Sequence, residues 1–135
     1  MNKQKAKNSK PSDPSEALIY VVDDEPMLLE FASVVLETPH HIVKTFRDAK
    51  SALEAFSGSS RPPDLVITDY AMHKMSGLEL IAACRKLRPR QKVLLVSGTV
   101  EEQDIRDADE KPNQFLPKPY GSKQLLEAVE TLLKS

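Results

Sequence analysis

The chain has 135 residues, of which 40% are hydrophobic and 29% are charged, and its net charge is -1. This is ordinary composition for one folded domain with a real core. The near-neutral balance provides no overall basic field of the kind that attracts nucleic acid. One cysteine, Cys84, excludes an internal disulfide, and no apolar run approaches the roughly 20 residues that cross a bilayer. No apolar signal-peptide block opens the chain, so we expect a cytoplasmic protein without a membrane or nucleic-acid partner.

Residues 1–16 differ in composition from the rest of the chain. They contain four lysines and two prolines but almost no large apolar side chain. Such a segment cannot bury enough apolar surface to offset the entropy cost of ordering it. We therefore predict a flexible basic tail over residues 1–16 and a folded domain over residues 17–135.

The first half of this domain predicts two strands, each followed by a helix. Residues 18–22 are continuously apolar, which is typical of a strand buried on both faces. Pro26 suits the first turn of a helix. The apolar stripe of that helix comprises Met27, Leu28, Phe31, Val34 and Val35. Residues 41–46 are β-rich but mixed in polarity, as in a half-exposed strand. A second helical stripe comprises Ala49, Ala52, Leu53 and Phe56, and it ends at Gly58.

The second half predicts three further strands, over residues 65–67, 92–96 and 114–116. Ser76 and Glu79 have the spacing of a capping box, which starts a third helix. The inner face of that helix comprises Leu80, Ile81, Cys84 and Leu87, so Cys84 is interpreted as a small core residue. A last helix is predicted over residues 122–133, with Leu125, Val129 and Leu132 aligned.

Residues 99–113 are the least regular part of the domain. They hold six acidic residues, two basic residues and Pro112, with few apolar side chains. A helix over about residues 101–109 is predicted, but it should be short and loosely anchored.

Five strands that alternate with helices predict an α/β fold with a parallel sheet covered on both faces. The apolar strands at 18–22, 65–67 and 93–96 belong in the middle. The mixed strand at 41–46 suits an edge, and so does the last strand, because Pro117 cannot donate to a ladder. The prediction is a doubly wound, flavodoxin-like (βα)5 sheet in the order 2-1-3-4-5.

Polar side chains follow four of the predicted strands. They are Asp23, Asp24 and Glu25 after the first, Asp69 after the third, Ser97 after the fourth and Lys118 after the fifth. In a parallel sheet these positions lie along one edge, where ligands bind. Clustered carboxylates repel one another unless a cation lies among them, and Mg2+ accepts one or two carboxylates together with a phosphate oxygen. A carboxylate nucleophile, a metal, a lysine and a hydroxyl are the parts needed for phosphoryl transfer to aspartate.

Each signal also has an ordinary explanation when it is taken alone. An acidic run after a strand can be the favourable charge at a helix N-terminus. A single aspartate after a strand, or a single Lys-Pro pair, carries little information. Their joint placement at the ends of four strands favours a functional site.

On these motifs the chain resembles the receiver domain of two-component response regulators, in particular the single-domain, chemotaxis-regulator-like members. The matching motifs are Val21–Glu25, Asp69–Gly77, Val96–Gly98 and Phe115–Tyr120, and the resemblance covers about residues 17–134. It implies that Asp69 accepts a phosphoryl group from a phosphohistidine. The donor would be a histidine kinase or a histidine phosphotransfer protein.

The resemblance also implies roles for the other matching residues. Asp23, Asp24, Asp69 and the backbone carbonyl of Ala71 would hold Mg2+. Ser97 and Lys118 would bind the phosphoryl group, and the bond from Lys118 to Pro119 would be cis.

Ser97 and Phe115 would act as the switch of the family. They would alter the face made by the fourth helix, the fifth strand and the last helix, for binding a partner or a second copy. Met72 and Gly77 match the loop that shapes the site. We expect a single receiver without an attached output domain, which supports its own phosphoryl transfer and autodephosphorylation but is not otherwise an enzyme.

Four features depart from the family pattern. His73 stands where proline is usual, Ala71 offers no polar side chain beside the site, and Gly98 replaces a commoner alanine. The fourth helix is unusually polar. These departures motivate an alternative, a pseudo-receiver that binds partners without being phosphorylated.

Two enzymatic alternatives use a similar sheet. An aspartate-nucleophile phosphatase would have a second aspartate where Ala71 stands, and it would need a cap to hold its substrate. A flavin-binding protein would need a phosphate cradle, which no loop supplies.

Overall fold

The computed structural model describes residues 16–98 and 102–135. The strands are β1 Ala17–Val22, β2 His41–Phe46, β3 Leu65–Asp69, β4 Val93–Ser97 and β5 Gln114–Pro117. The helices are α1 Pro26–Leu36, α2 Ala49–Gly58, α3 Gly77–Leu87, α4 Glu102–Asp107 and α5 Ser122–Lys134. Apart from Glu16, the predicted tail lies outside the described residues, as do residues 99–101 of the acidic segment.

The sheet is parallel throughout and has the order β2-β1-β3-β4-β5, which confirms the predicted fold. The central strands β3 and β4 are buried at every position, whereas β2 has exposed positions. β3 extends two residues beyond the prediction, because Thr68 pairs with Leu95 and Asp69 with Val96. The phosphoacceptor candidate Asp69 is therefore the last residue of a central strand.

The alternation of side chains along β1 divides the core into two layers. Ile19 and Val21 pack in the cluster that includes Leu29 of α1 and Leu125 of α5. Tyr20 and its neighbours face the other cluster, which is completed by α2 and α3. Both faces of the sheet are thus covered, as continuous apolar strands require.

The stripe predicted for α1 is partly wrong. The residues buried against the sheet are Leu29, Ala32 and Leu36, whereas Met27 is 82% exposed and Val34 is 75% exposed. At 100° per residue, positions 27 and 34 lie on the opposite side of the helix from position 29. Leu87, predicted on the inner face of α3, is also 54% exposed, because it is the last residue of that helix.

Other local predictions are confirmed. The Ser76 hydroxyl accepts from the Glu79 amide at 3.2 Å, and the Glu79 carboxylate accepts from the Ser76 amide at 2.8 Å. Cys84 is buried, and burial raises the pKa of its thiol to about 11. The predicted helix over about 101–109 is α4, which is shorter and ends at Asp107. In the described ranges, no helix is long and apolar enough to span a membrane.

Candidate functional site

The carboxyl edge is the edge of the sheet where β1, β3, β4 and β5 end. Asp23 follows β1, and Asp69 ends β3; both side chains are buried. Carboxylate oxygens of Asp23, Asp24 and Asp69 all lie within 4.8 Å of one another. The structure therefore brings together the three carboxylates that the sequence assigned to a metal.

Lys118 lies against these carboxylates. Its ammonium is 3.2 Å from Asp69 Oδ1, 3.3 Å from Asp23 Oδ2 and 3.4 Å from Glu25 Oε1. The backbone positions it as well, because the Lys118 amide donates to the Ser97 carbonyl at 3.0 Å. The Lys118–Pro119 bond is cis, as the resemblance implied.

The electrostatics of the edge are in conflict. Burial raises the pKa of Asp69, and the Asp23 carboxylate raises it further, although the Lys118 ammonium acts in the opposite direction. Burial also raises the pKa of Asp23, despite a hydrogen bond from the Glu25 amide and the charge of Lys118. Burial lowers the pKa of Lys118, but the charges of Asp23 and Asp69 outweigh it and leave that pKa above its ordinary value.

This donor set fits a hard divalent cation. Three carboxylates with one ammonium leave excess negative charge in a partly desolvated site, and oxygen ligands are those that Mg2+ prefers. One lysine lowers the carboxylate pKa values but does not return them to their ordinary values. A bound cation would remove that imbalance.

The loop after Asp69 is held by a close backbone approach. The Gly77 amide donates to the Tyr70 carbonyl at 2.8 Å, and a Cβ atom on Gly77 would lie 2.3 Å from the Asp69 carbonyl oxygen. Glycine is required there because the missing side chain makes room for the backbone of Asp69. Ala71 and His73, in the same loop, are exposed.

The two predicted switch residues lie at the ends of β4 and β5. Ser97 is buried at the end of β4. Phe115 is half-buried in β5 and packs against the cluster that contains Leu95. Gly98 is less constrained, since a Cβ there would lie 3.6 Å from Lys118 Cβ, an ordinary contact.

The model of the response regulator receiver domain family matches residues 19–130. The chain belongs to this family.

Relatives and solved structures agree with that assignment. The receiver domain is 28% identical over 124 residues to the probable transcriptional regulatory protein TcrX of Mycobacterium tuberculosis, covering 91% of this chain and 52% of that protein. It is 30% identical over 122 residues to the DNA-binding transcriptional regulator NtrC of Azospirillum brasilense, covering 90% of this chain and 25% of that one. A CheY-like receiver domain protein from Methanospirillum hungatei superimposes with a TM-score of 0.81 at 25% identity, covering 89% of this chain and 95% of that one. This chain spans about half the length, or less, of the curated relatives it matches.

Two features of this receiver domain were missed by sequence reasoning. Glu25 stood in the acidic run without a role, yet its carboxylate contacts Lys118. Met27 and Val34 were placed in a core stripe but lie in solvent. The pair Glu25-Pro26 was a usable signal for the first, since a residue before proline has a restricted backbone. The helical angle between positions 27 and 29 was a signal for the second.

Proposed function

We propose that this receiver domain accepts a phosphoryl group on Asp69 from a phosphohistidine. One observation carries the proposal: the buried Asp69 carboxylate lies 3.2 Å from Lys118 and within 4.8 Å of Asp23 and Asp24. In the step, the nitrogen–phosphorus bond breaks as a bond forms from an Asp69 oxygen to phosphorus. The imidazole leaves with the electron pair and takes up a proton.

The remaining residues of the carboxyl edge would stabilise the transferred charge. Asp23, Asp24, Asp69 and the carbonyl of Ala71 would hold Mg2+, which neutralises charge on the phosphoryl oxygens when bound. Lys118 would exchange its contact with Asp69 for a phosphoryl oxygen, and the Ser97 hydroxyl would donate to another. The same groups would support autodephosphorylation.

Movement of Ser97 and Phe115 would change the face formed by α4, β5 and α5. Phe115 is half-buried and Ser97 buried, so each has a packed starting position from which to move. We propose that this face binds a downstream protein, or a second copy, in the phosphorylated state.

The donor would be a cytoplasmic histidine kinase or a histidine phosphotransfer protein. An apolar surface beside the site supports a protein donor: Met27 is exposed, and it borders a pocket of about 590 Å³ that Pro119 and Tyr120 also line. We further propose that residues 17–135 are the phosphoacceptor unit and residues 1–16 a basic tail.

The test is phosphorylation by acetyl phosphate in Mg2+, together with the spectral change produced by beryllofluoride. Wild type and the control Asp109→Asn, an exposed carboxylate outside the site, should both respond, and Asp69→Asn should not. Equal labelling and equal spectral change in Asp69→Asn would contradict the proposal. Partner binding that is insensitive to Asp69→Asn would favour the pseudo-receiver instead.

A further inference from the structure

Glu25 has an unusual position for an acidic residue at the start of a helix. It is the N-cap residue of α1, but within the described chain its carboxylate makes no capping hydrogen bond. The carboxylate contacts the Lys118 ammonium at 3.4 Å instead. The side chain is therefore used across the site and not on its own helix.

The backbone of Glu25 is held on two sides. Its amide donates to Asp23 Oδ1 at 2.9 Å, and Pro26 follows it directly. A residue before proline is confined to extended conformations, and Glu25 has φ -96° and ψ 110°. This placement gives the exposed carboxylate a defined starting point for its reach toward Lys118.

An ammonium group has three donors, and three carboxylates contact Lys118 in the described chain. Two of them, Asp23 and Asp69, belong to the metal-binding trio. Glu25 does not, and its side chain is 62% exposed. When a cation takes up the charge of the trio, Glu25 is the partner whose charge stays available to Lys118.

We propose that Glu25 is a positioning residue, which holds the Lys118 ammonium toward the phosphoryl group while Mg2+ occupies the carboxylates. The inference rests on the proposed function. It makes a distinctive prediction of sign. If Glu25 acted only as a negative charge, its removal would strengthen the binding of an anionic phosphoryl analogue. A positioning role predicts weaker binding.

The experiment compares wild type, Glu25→Gln and Glu30→Gln at fixed ionic strength. Glu30 is exposed on the same helix and provides the same change of charge. In saturating Mg2+, the Kd for beryllofluoride, which mimics the phosphoryl group, is measured by amide NMR. An exposed ion pair predicts a weakening of about two- to five-fold for Glu25→Gln. Glu30→Gln should match wild type.

Two further readouts separate positioning from other effects. The Kd for Mg2+ should be the same in Glu25→Gln and wild type, because Glu25 lies outside the trio. In the Mg2+-bound form, NMR relaxation should show faster motion of the Lys118 side-chain methylene next to nitrogen in Glu25→Gln.

The outcomes that overturn the inference are distinct from those that overturn the proposed function. Beryllofluoride binding in Glu25→Gln as tight as in wild type, or tighter, rejects the positioning role. So does a loss of Mg2+ affinity equal to the loss for beryllofluoride, or an unchanged Lys118 side chain. Failure of the wild-type protein to bind beryllofluoride in Mg2+ rejects the proposed function itself.

Discussion

Charged side chains at the amino-terminal ends of the strands bind backbone groups, whereas those at the carboxyl edge face one another. At the amino-terminal ends, Asp64 accepts from the Leu18 amide at 2.7 Å and Lys92 donates to the Leu132 carbonyl at 2.8 Å. At the carboxyl edge, Lys118 contacts Asp23 and Asp69, whose pKa values nevertheless stay raised. Satisfied polar groups stabilise a fold, while repulsion that remains in the native state creates a demand for a ligand.

The largest effect is expected from Gly77→Ala, which disturbs the carboxyl edge through the backbone. The new Cβ would lie 2.3 Å from the Asp69 carbonyl oxygen and 2.9 Å from a Leu95 methyl carbon. Forcing a methyl group into a packed site costs about 1–3 kcal/mol, and we expect the upper end here. Urea unfolding should show that loss. Phosphorylation by acetyl phosphate should fall at least about tenfold, since small misplacements of a reacting group carry large rate penalties. Wild-type labelling would show that the loop can shift without moving Asp69.

Arg85→Ala should affect stability alone. The Arg85 guanidinium, at the opposite end of the sheet, donates to the Gln91 carbonyl at 3.1 Å and to Asn113 Oδ1 at 2.8 Å. Hydrogen bonds that involve a charged group contribute about 1.5–3 kcal/mol, so we expect a loss of about 2 kcal/mol in urea unfolding. Phosphorylation per folded molecule should stay unchanged, and Lys86→Ala, at an exposed neighbour, is the control. Reduced labelling of the folded variant would mean that the two ends of the sheet are coupled.

Asp69→Asn should stabilise the metal-free protein at pH 7. The pKa of Asp69 is raised in the folded state, chiefly by burial, so its protonation favours folding. That stability is fully present below the unfolded pKa of about 3.9 and is lost as pH rises through the higher folded pKa. In chelator at pH 7, thermal unfolding of Asp69→Asn should therefore occur a few degrees above wild type. The difference should shrink toward pH 4 and in Mg2+. A lower Tm than wild type at pH 7 would show that Lys118 already compensates the charge.

The smallest effect is expected from Gly98→Ala, on the same edge as Gly77. A Cβ at Gly98 meets only an ordinary 3.6 Å contact, and the backbone has no positive φ. Replacing such a glycine stabilises a protein by about 0.4–1 kcal/mol, by restricting the unfolded chain. Chemical denaturation should show this gain, with labelling of Asp69 retained. A destabilised variant would show that the loop after β4 needs the freedom of glycine.

Much of the fold could be predicted from local pattern. Continuous apolar runs in β1, β3 and β4 indicated central strands, and the mixed polarity of β2 indicated an edge. Ser76 and Glu79 marked the start of α3 correctly, because a capping box is a local interaction. The α1 stripe was predicted less well, since several apolar residues compete for one buried face and only packing against the sheet selects among them.

The sequence by itself determined which chemical groups meet at the carboxyl edge. Parallel strands of known order place Asp23, Asp69, Ser97 and Lys118 together, whatever the detailed packing. The tertiary structure alone decided how these groups share their charges. Whether Lys118 pairs with Glu25, how far burial raises the pKa of Asp69, and why Gly77 has no room for a side chain depend on separations of a few ångströms between distant residues. Electrostatic energies and steric overlap change steeply over such distances, and spacing along the chain does not encode them.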